Sequence, residues 1–211
     1  MATQPLSGTH LKPDSVLIRQ PANGTSQSLK WTDVLMTAEL TSRKEMLGLT
    51  SQIECSTLAI FDVQPNRAFS YSLSFHSGLY HLYMYDCAGG MYSHSYNLHE
   101  FPLALLCILC AATFAPASWL GMDDTFDCRL HPVITVDSTQ YFVIAWCFSS
   151  SVIHGHATTV WFISKSILPD SNQRNIFIVK DLWINVECQL SEEEILDALK
   201  DVDCVLKVVK A

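Results

Sequence analysis

From Ala68 to Asp86 the chain reads AFSYSLSFHSGLYHLYMYD, with an aromatic or aliphatic residue at nearly every second position. A period of two sends alternate side chains to opposite faces of a strand, and Ser77-Gly78 interrupts the run midway with a turn signal. Residues 68 to 96 are therefore predicted to hold a β-hairpin. Shorter alternating runs predict strands over Asp14–Arg19, Val133–Val136, Tyr141–Phe148, Thr159–Lys165 and Asn175–Leu182, and Trp31–Leu40 reads as a largely buried strand. Three segments carry other spacing. Ser42–Phe61 has apolar residues at 46, 47, 49, 53, 58 and 60, which suits a helix. Ser191–Val202 opens on a natural N-cap, Ser191, followed by three glutamates in the first turn, where the helix dipole favours negative charge. Phe101–Thr113 is apolar throughout and reads as a buried helix. Between these elements, QPANGTSQS (Gln20–Ser28) and the stretch with Pro116, Gly121, Asp123, Asp124 and Asp127 read as loops.

Bulk properties narrow the function classes. The 211 residues suffice for one generous domain or two small ones, and 49% hydrophobic against 16% charged residues supplies a core and argues against disorder. A formal charge of −8 leaves no basic stripe to neutralise phosphates, so direct nucleic-acid binding is excluded. The N-terminus, MATQPLSGTHLKPDS, has neither the basic start nor the apolar stretch of a secretory signal. The apolar run from Phe101 to Phe114 falls short of the ~20 residues a spanning helix needs. An intracellular protein, cytoplasmic or nuclear, with no membrane partner is expected. Its eight irregularly spaced cysteines suit reduced, packed thiols, the Cys107-x-x-Cys110 pair included, since no second Cys or His pair accompanies it. The acidic trio Asp123, Asp124 and Asp127 lacks calcium-loop spacing, and His154 and His156 read as turn residues.

Two constellations carry chemistry. In the C-terminal third, the turn IHGHATTVW (Ile153–Trp161) leads into a strand, IFIVKDLW (Ile176–Trp183) places Lys180 on the next, and SEEEIL opens a helix with Glu192. A turn over phosphates, a strand lysine reaching them and a helical glutamate holding that lysine occur in this order in the N-terminal lobe of protein kinases. The stretch resembles the fungal-type protein kinase family, whose turn reads G-R-G/A-T-x-x-W and whose lysine strand reads V-K-D-S-W. The resemblance places Gly155, Ala157 and Thr158 on the phosphate turn, Lys180 on the phosphate lysine and Glu192 on the helix glutamate. His156 stands for the arginine and Leu182 for the serine, and a single glycine remains of the usual three. With Glu192 three and four residues before Ile195 and Leu196, expected to face the core, its side chain should point at the sheet and pair with Lys180.

The second constellation is N-terminal. Pro13-Asp14 opens the first strand and Glu39-Leu40-Thr41 closes the second, so two carboxylates are expected to converge at adjacent strand ends. This resembles the P-D…(D/E)-x-K arrangement of restriction-endonuclease-like folds, where two acids bind magnesium and a lysine activates water. Thr41 occupies the lysine position, which makes the site degenerate. The same region, with W-x-D-V-L (Trp31–Leu35) and Q-P-x-R-x-F (Gln64–Phe69), also resembles the segment that precedes the kinase lobe in the fungal-type family.

The expected architecture is therefore α+β / α/β: a mixed-sheet nuclease-like remnant over residues 12–130, then a kinase-like N-lobe, an antiparallel sheet plus one helix, over 133–211. The resemblance implies ATP and Mg²⁺ as cofactors of the complete family fold, neither held tightly here and with no metal site of the chain's own. No His-Arg-Asp or Asp-Phe-Gly segment occurs in the 211 residues, so a chain truncated before the catalytic loop and inactive by itself is expected. Two readings stand side by side: a part of a larger kinase whose partner is the missing C-lobe, and a catalytically dead module that binds another protein chain.

Overall fold

The computed structural model of the chain describes residues 11–18, 30–42, 46–127, 132–149, 158–166, 176–182, 192–199 and 201–202. Two sheets organise it. The first has six strands: β1 (Ser15–Ile18), β2 (Val34–Thr41), β3 (Phe69–His76), β4 (Leu79–Asp86), β5 (Gly89–Tyr92) and β6 (Tyr96–Asn97). They run in the order β1-β2-β3-β4-β5, with β6 pairing β4. Only β2 and β3 are parallel, joined by the helix α1 (Met46–Val63). The hairpin follows its predicted register, Phe69 opposite Asp86 and His76 opposite Leu79. Its turn residues Ser77 and Gly78 both take positive φ, 49° and 78°, the conformation whose twist matches that of the flanking strands.

The two faces of this sheet differ in chemistry. One packs Met36, Leu73 and Tyr80 against Leu105, Ile108 and Ala112 of α2 (Pro102–Phe114) and Leu120 beyond it. The other, under α1, carries Thr37, Glu39, Ser70, Ser72, Ser74, His76 and His81, all buried. Among the described residues, buried apolar clusters under α1 are formed by Trp31, Val34, Ala59 and Ile60 near its C-terminal end, and by Ile53 with Tyr83 and Tyr85 nearer its start. Gly121 closes the turn after α2 at φ 90°. A methyl group there would come within 2.0 Å of the Phe69 carbonyl oxygen, so only glycine fits.

The second sheet has five strands, β7 (Phe126–Asp127), β8 (Val133–Val136), β9 (Thr139–Ser149), β10 (Thr158–Ser164) and β11 (Ile176–Leu182), in the antiparallel order β11-β10-β9-β8-β7. Ile134, Trp161 and Ile163 form its buried cluster, flanked by Tyr141, Val143, Phe177 and Val179. A short helix, α3 (Glu192–Ala198), follows. No helix among the described residues is long and apolar enough to cross a membrane.

Several expectations are corrected. The helix read as buried lies half on the surface: Leu103, Leu106 and Leu109 are 70%, 55% and 41% exposed and only Ala112 is buried. An apolar run guarantees a covered face on one side, but this helix is apolar all round and the sheet covers one side only. Cys107 and Cys110 accordingly face outward, and of the five cysteines described, all free, only Cys87 is buried. Trp31–Asp33 forms a 3-10 turn before β2 instead of the start of a strand. The loop around Gly121 contains a second such turn, Ala117–Leu120, and the strand β7. Ile195, expected to face a core, is 45% exposed, while Leu196 is half-buried.

Candidate functional site

Because β1 and β2 are antiparallel, with Ser15 opposite Ala38, the start of one strand meets the end of the other. Asp14 and Glu39 converge there as the sequence suggested. Asp14, exposed, accepts a hydrogen bond from the Leu40 backbone N–H at 2.8 Å. Glu39, buried beneath α1, accepts one from the Ser56 hydroxyl at 3.3 Å. Burial is the main reason its carboxyl is pushed up to about 7, the Asp14 charge adds to it, and the bonds from the Asp14 backbone and Ser56 partly offset it. Thr41, half-buried, stands beside His76 in the parallel β2–β3 register. No group of three His, Cys, Asp or Glu side chains that would hold a metal ion occurs among the described residues.

The sheet adds two histidines that sequence reasoning missed. His76 and His81 are both buried, their ring planes are nearly parallel, 10° apart, and their Nε2 atoms lie 3.2 Å apart. His81 Nδ1 is 3.1 Å from the Ser93 carbonyl oxygen, which can only accept, so Nδ1 carries the proton. In that neutral tautomer His81 Nε2 is an acceptor that faces both His76 Nε2–H and the Ser95 hydroxyl, each at 3.2 Å. Burial, and then His81, push the His76 imidazole below its ordinary range. A local signal existed: residues five apart across a two-residue turn stand diagonally on one face of a hairpin. Around this pair the polar layer continues. Thr37 and Ser72 hydroxyls bond at 2.8 Å. The buried hydroxyls of Thr57, Ser70, Ser74 and Tyr83 have no hydrogen-bond partner among the described residues.

In the second sheet, β10 and β11 pair without a bulge, Thr158 opposite Leu182 and Val160 opposite Lys180. Trp161 and Ile163 with Val179 and Phe177 belong to the buried cluster, so alternation puts Thr158, Val160 and Lys180 on the other face. Thr158 is half-buried and Lys180 exposed. The preceding turn residues Gly155 and Ala157 lie outside the described residues, as does the side chain of Glu192, and with it the expected Lys180–Glu192 pairing. Asp181, next to Lys180, reaches the β4–β5 turn electrostatically: burial first, then Asp86 and Asp181, push the Cys87 thiol up to about 11. That thiol stays protonated at neutral pH and is no nucleophile.

The segment Gln64–Phe69 has a structural role. The Gln64 side-chain amide donates to the Trp31 and Val34 carbonyls at 2.7 and 2.8 Å, and the buried Arg67 guanidinium donates to those of Val34, Leu35 and Leu120. A model of the family described as fungal protein kinase matches residues 12–211. No curated protein and no solved structure matches the chain.

Proposed function

The chain belongs to the fungal protein kinase family, and from that premise we propose that strands β9 to β11 are its nucleotide-facing part, with Lys180 placed to meet the phosphates of ATP. The observation that supports this reading is the shared face of Thr158 and Lys180. One strand end offers a hydroxyl and its neighbour a cation, beside the turn that the family resemblance assigns to phosphate, Gly155 and Ala157 included. Lysine on a strand suits a polyphosphate because its ammonium is a compact point charge on a long stem, while the strand fixes where the stem starts. Glu192 would orient it. ATP so bound supplies a transferable phosphoryl group. Residues of this chain would bind and orient it through its phosphates.

Phosphoryl transfer itself requires a base and metal-binding carboxylates whose signatures do not occur in these 211 residues. The chain by itself is therefore expected to bind nucleotide weakly and transfer nothing. Titration with a fluorescent ATP analogue tests the first part. Lys180→Ala should weaken binding about tenfold, the loss of one charge-assisted contact. Since Lys180 is exposed, the fold should be unaffected. Equal binding by both proteins would remove Lys180 from the site. Labelled phosphate incorporated from γ-labelled ATP should stay at background in both; incorporation above that of Lys180→Ala would contradict the inactivity.

A second reading, a non-catalytic module that docks on another protein chain, draws on the second sheet. Trp146, Phe148 and Ile178 are 44%, 54% and 51% exposed, more apolar surface than a solvated sheet face usually carries. Absence of any nucleotide binding in the same titration would favour it.

A further inference from the structure

We propose that the outward face of α2 is a self-association surface through which two copies of this chain pair, helix against helix, about a two-fold axis. At ~100° per residue, Leu103, Leu106, Cys107, Cys110 and Phe114 fall within one stripe about 100° wide. Leu105, Ile108 and Ala112 lie on the opposite side, packed on the first sheet. α2 thus has two apolar faces, and the described residues cover only one of them. The outer one is strongly exposed, with Leu103 at 70% and Phe114 at 82%, and Trp119, 71% exposed, continues it past the helix.

Two features favour a second copy as the occupant. The first is charge. The protein carries −8, so most pairings of its surface with itself bring like charges together. None of its 13 basic and 21 acidic residues lies between Phe101 and Leu120, which makes this a large surface that can meet its own copy without that cost. The second is area and shape. Covered aromatic side chains contribute about 150–250 Å² apiece, so Phe114 and Trp119 with the leucines offer an area on the order of the ~800 Å² per partner of a standard stable interface. An antiparallel pairing centred between Cys107 and Cys110 sets Leu103 of one copy against Phe114 of the other. The small thiols at the centre let the helix axes approach, and the arrangement is self-complementary, as a two-fold contact must be.

Sedimentation of the full chain at tens of micromolar should show a dimer. Leu106→Glu, at a 55% exposed position, should weaken it more than tenfold with an unchanged melting curve. Phe114→Lys, at a still more exposed position, serves if the first variant misfolds. Cys107→Ser/Cys110→Ser should lose most of the covalent dimer formed with a short bis-maleimide. A monomer throughout would overturn the proposal, including one that sediments with phosphatidylcholine vesicles and so assigns the face to lipid. Dimers that survive both charged substitutions, or that Ile178→Glu disperses while Leu106→Glu does not, would place the contact elsewhere. Equal cross-linking in the serine variant would show that the α2 faces are not opposed.

Discussion

Replacing Arg67 with methionine should lower the stability of the chain by about 3–4 kcal/mol, a large share of the ~5–15 kcal/mol that a domain possesses. Arg67 is buried, and its guanidinium bridges the carbonyl oxygens of Val34 and Leu35 at the start of β2 and of Leu120 in the turn after α2. Three segments far apart in sequence meet on one side chain. Methionine fills a similar length but donates nothing. Val34 keeps its bond from the Gln64 amide, whereas Leu120 and Leu35 lose a charged donor, at ~1–3 kcal/mol for each acceptor left unmet. Some of that is returned, because a buried cation is costly to desolvate. Arg67→Lys should be no milder, since an ammonium cannot fork towards carbonyls on two sides. The readout is the urea midpoint, which at an m-value of ~2 kcal/mol/M should fall by roughly 1.5–2 M. A loss below about 1 kcal/mol would mean that the clamp is incidental to the fold.

That clamp shows what could and could not be read from the sequence. The hairpin was legible because the alternation of Phe69, Tyr71, Leu73 and Phe75 with Ser70, Ser72 and Ser74 follows from backbone geometry alone. It did not reveal which face would be wet. The serine face lies buried under α1, contrary to the usual inward-apolar rule, and the hydrophobic face meets α2. Residues 89–97 lay at the end of the segment read as one hairpin, with no signal that they form two further strands. They are held in β5 and β6 by pairing with β4, Tyr92 opposite Tyr83 and Asn97 opposite Leu79. The α2 run announced a helix but not its half-exposure, because hydrophobicity states what a face prefers and not what is available to cover it. The convergence of Asp14 and Glu39 was legible since strand ends meet when neighbours run antiparallel. The His76–His81 contact required the hairpin register, and Arg67 required the whole fold. Of the kinase-like set, the face shared by Thr158 and Lys180 follows from strand alternation once the register is known.

Glu39→Gln should stabilise the protein above pH 7 by roughly 2–3 kcal/mol and leave it nearly unchanged near pH 4.5. Glu39 is 3% exposed, and its pKa is raised from 4.5 to about 7, by burial first and then by Asp14. For an acid raised in the fold, the folded chain holds a proton that the unfolded chain has already released between those two values. The associated stability is therefore complete below about pH 4.5, declines by ~1.4 kcal/mol per unit as pH rises, and is lost once pH passes the folded value near 7. Glutamine removes the ionisation and keeps an oxygen for the Ser56 hydroxyl and the Asp14 backbone N–H, so the variant lacks this decline. Asp14→Asn should shift the window downward without abolishing it, because Asp14 is the second cause and not the first. Its amide oxygen can still accept from the Leu40 N–H. Urea midpoints of the three proteins between pH 4.5 and 8 separate these outcomes: the curve for Glu39→Gln should diverge from that of the parent chain as pH rises. A variant less stable than the parent across the whole range would mean that Glu39 is ionised in the folded state and rewarded for it. The pair would then be held by partners other than Ser56 and the Asp14 backbone. A divergence that levels off below pH 6 would instead place the folded carboxyl nearer its ordinary range than burial and Asp14 put it.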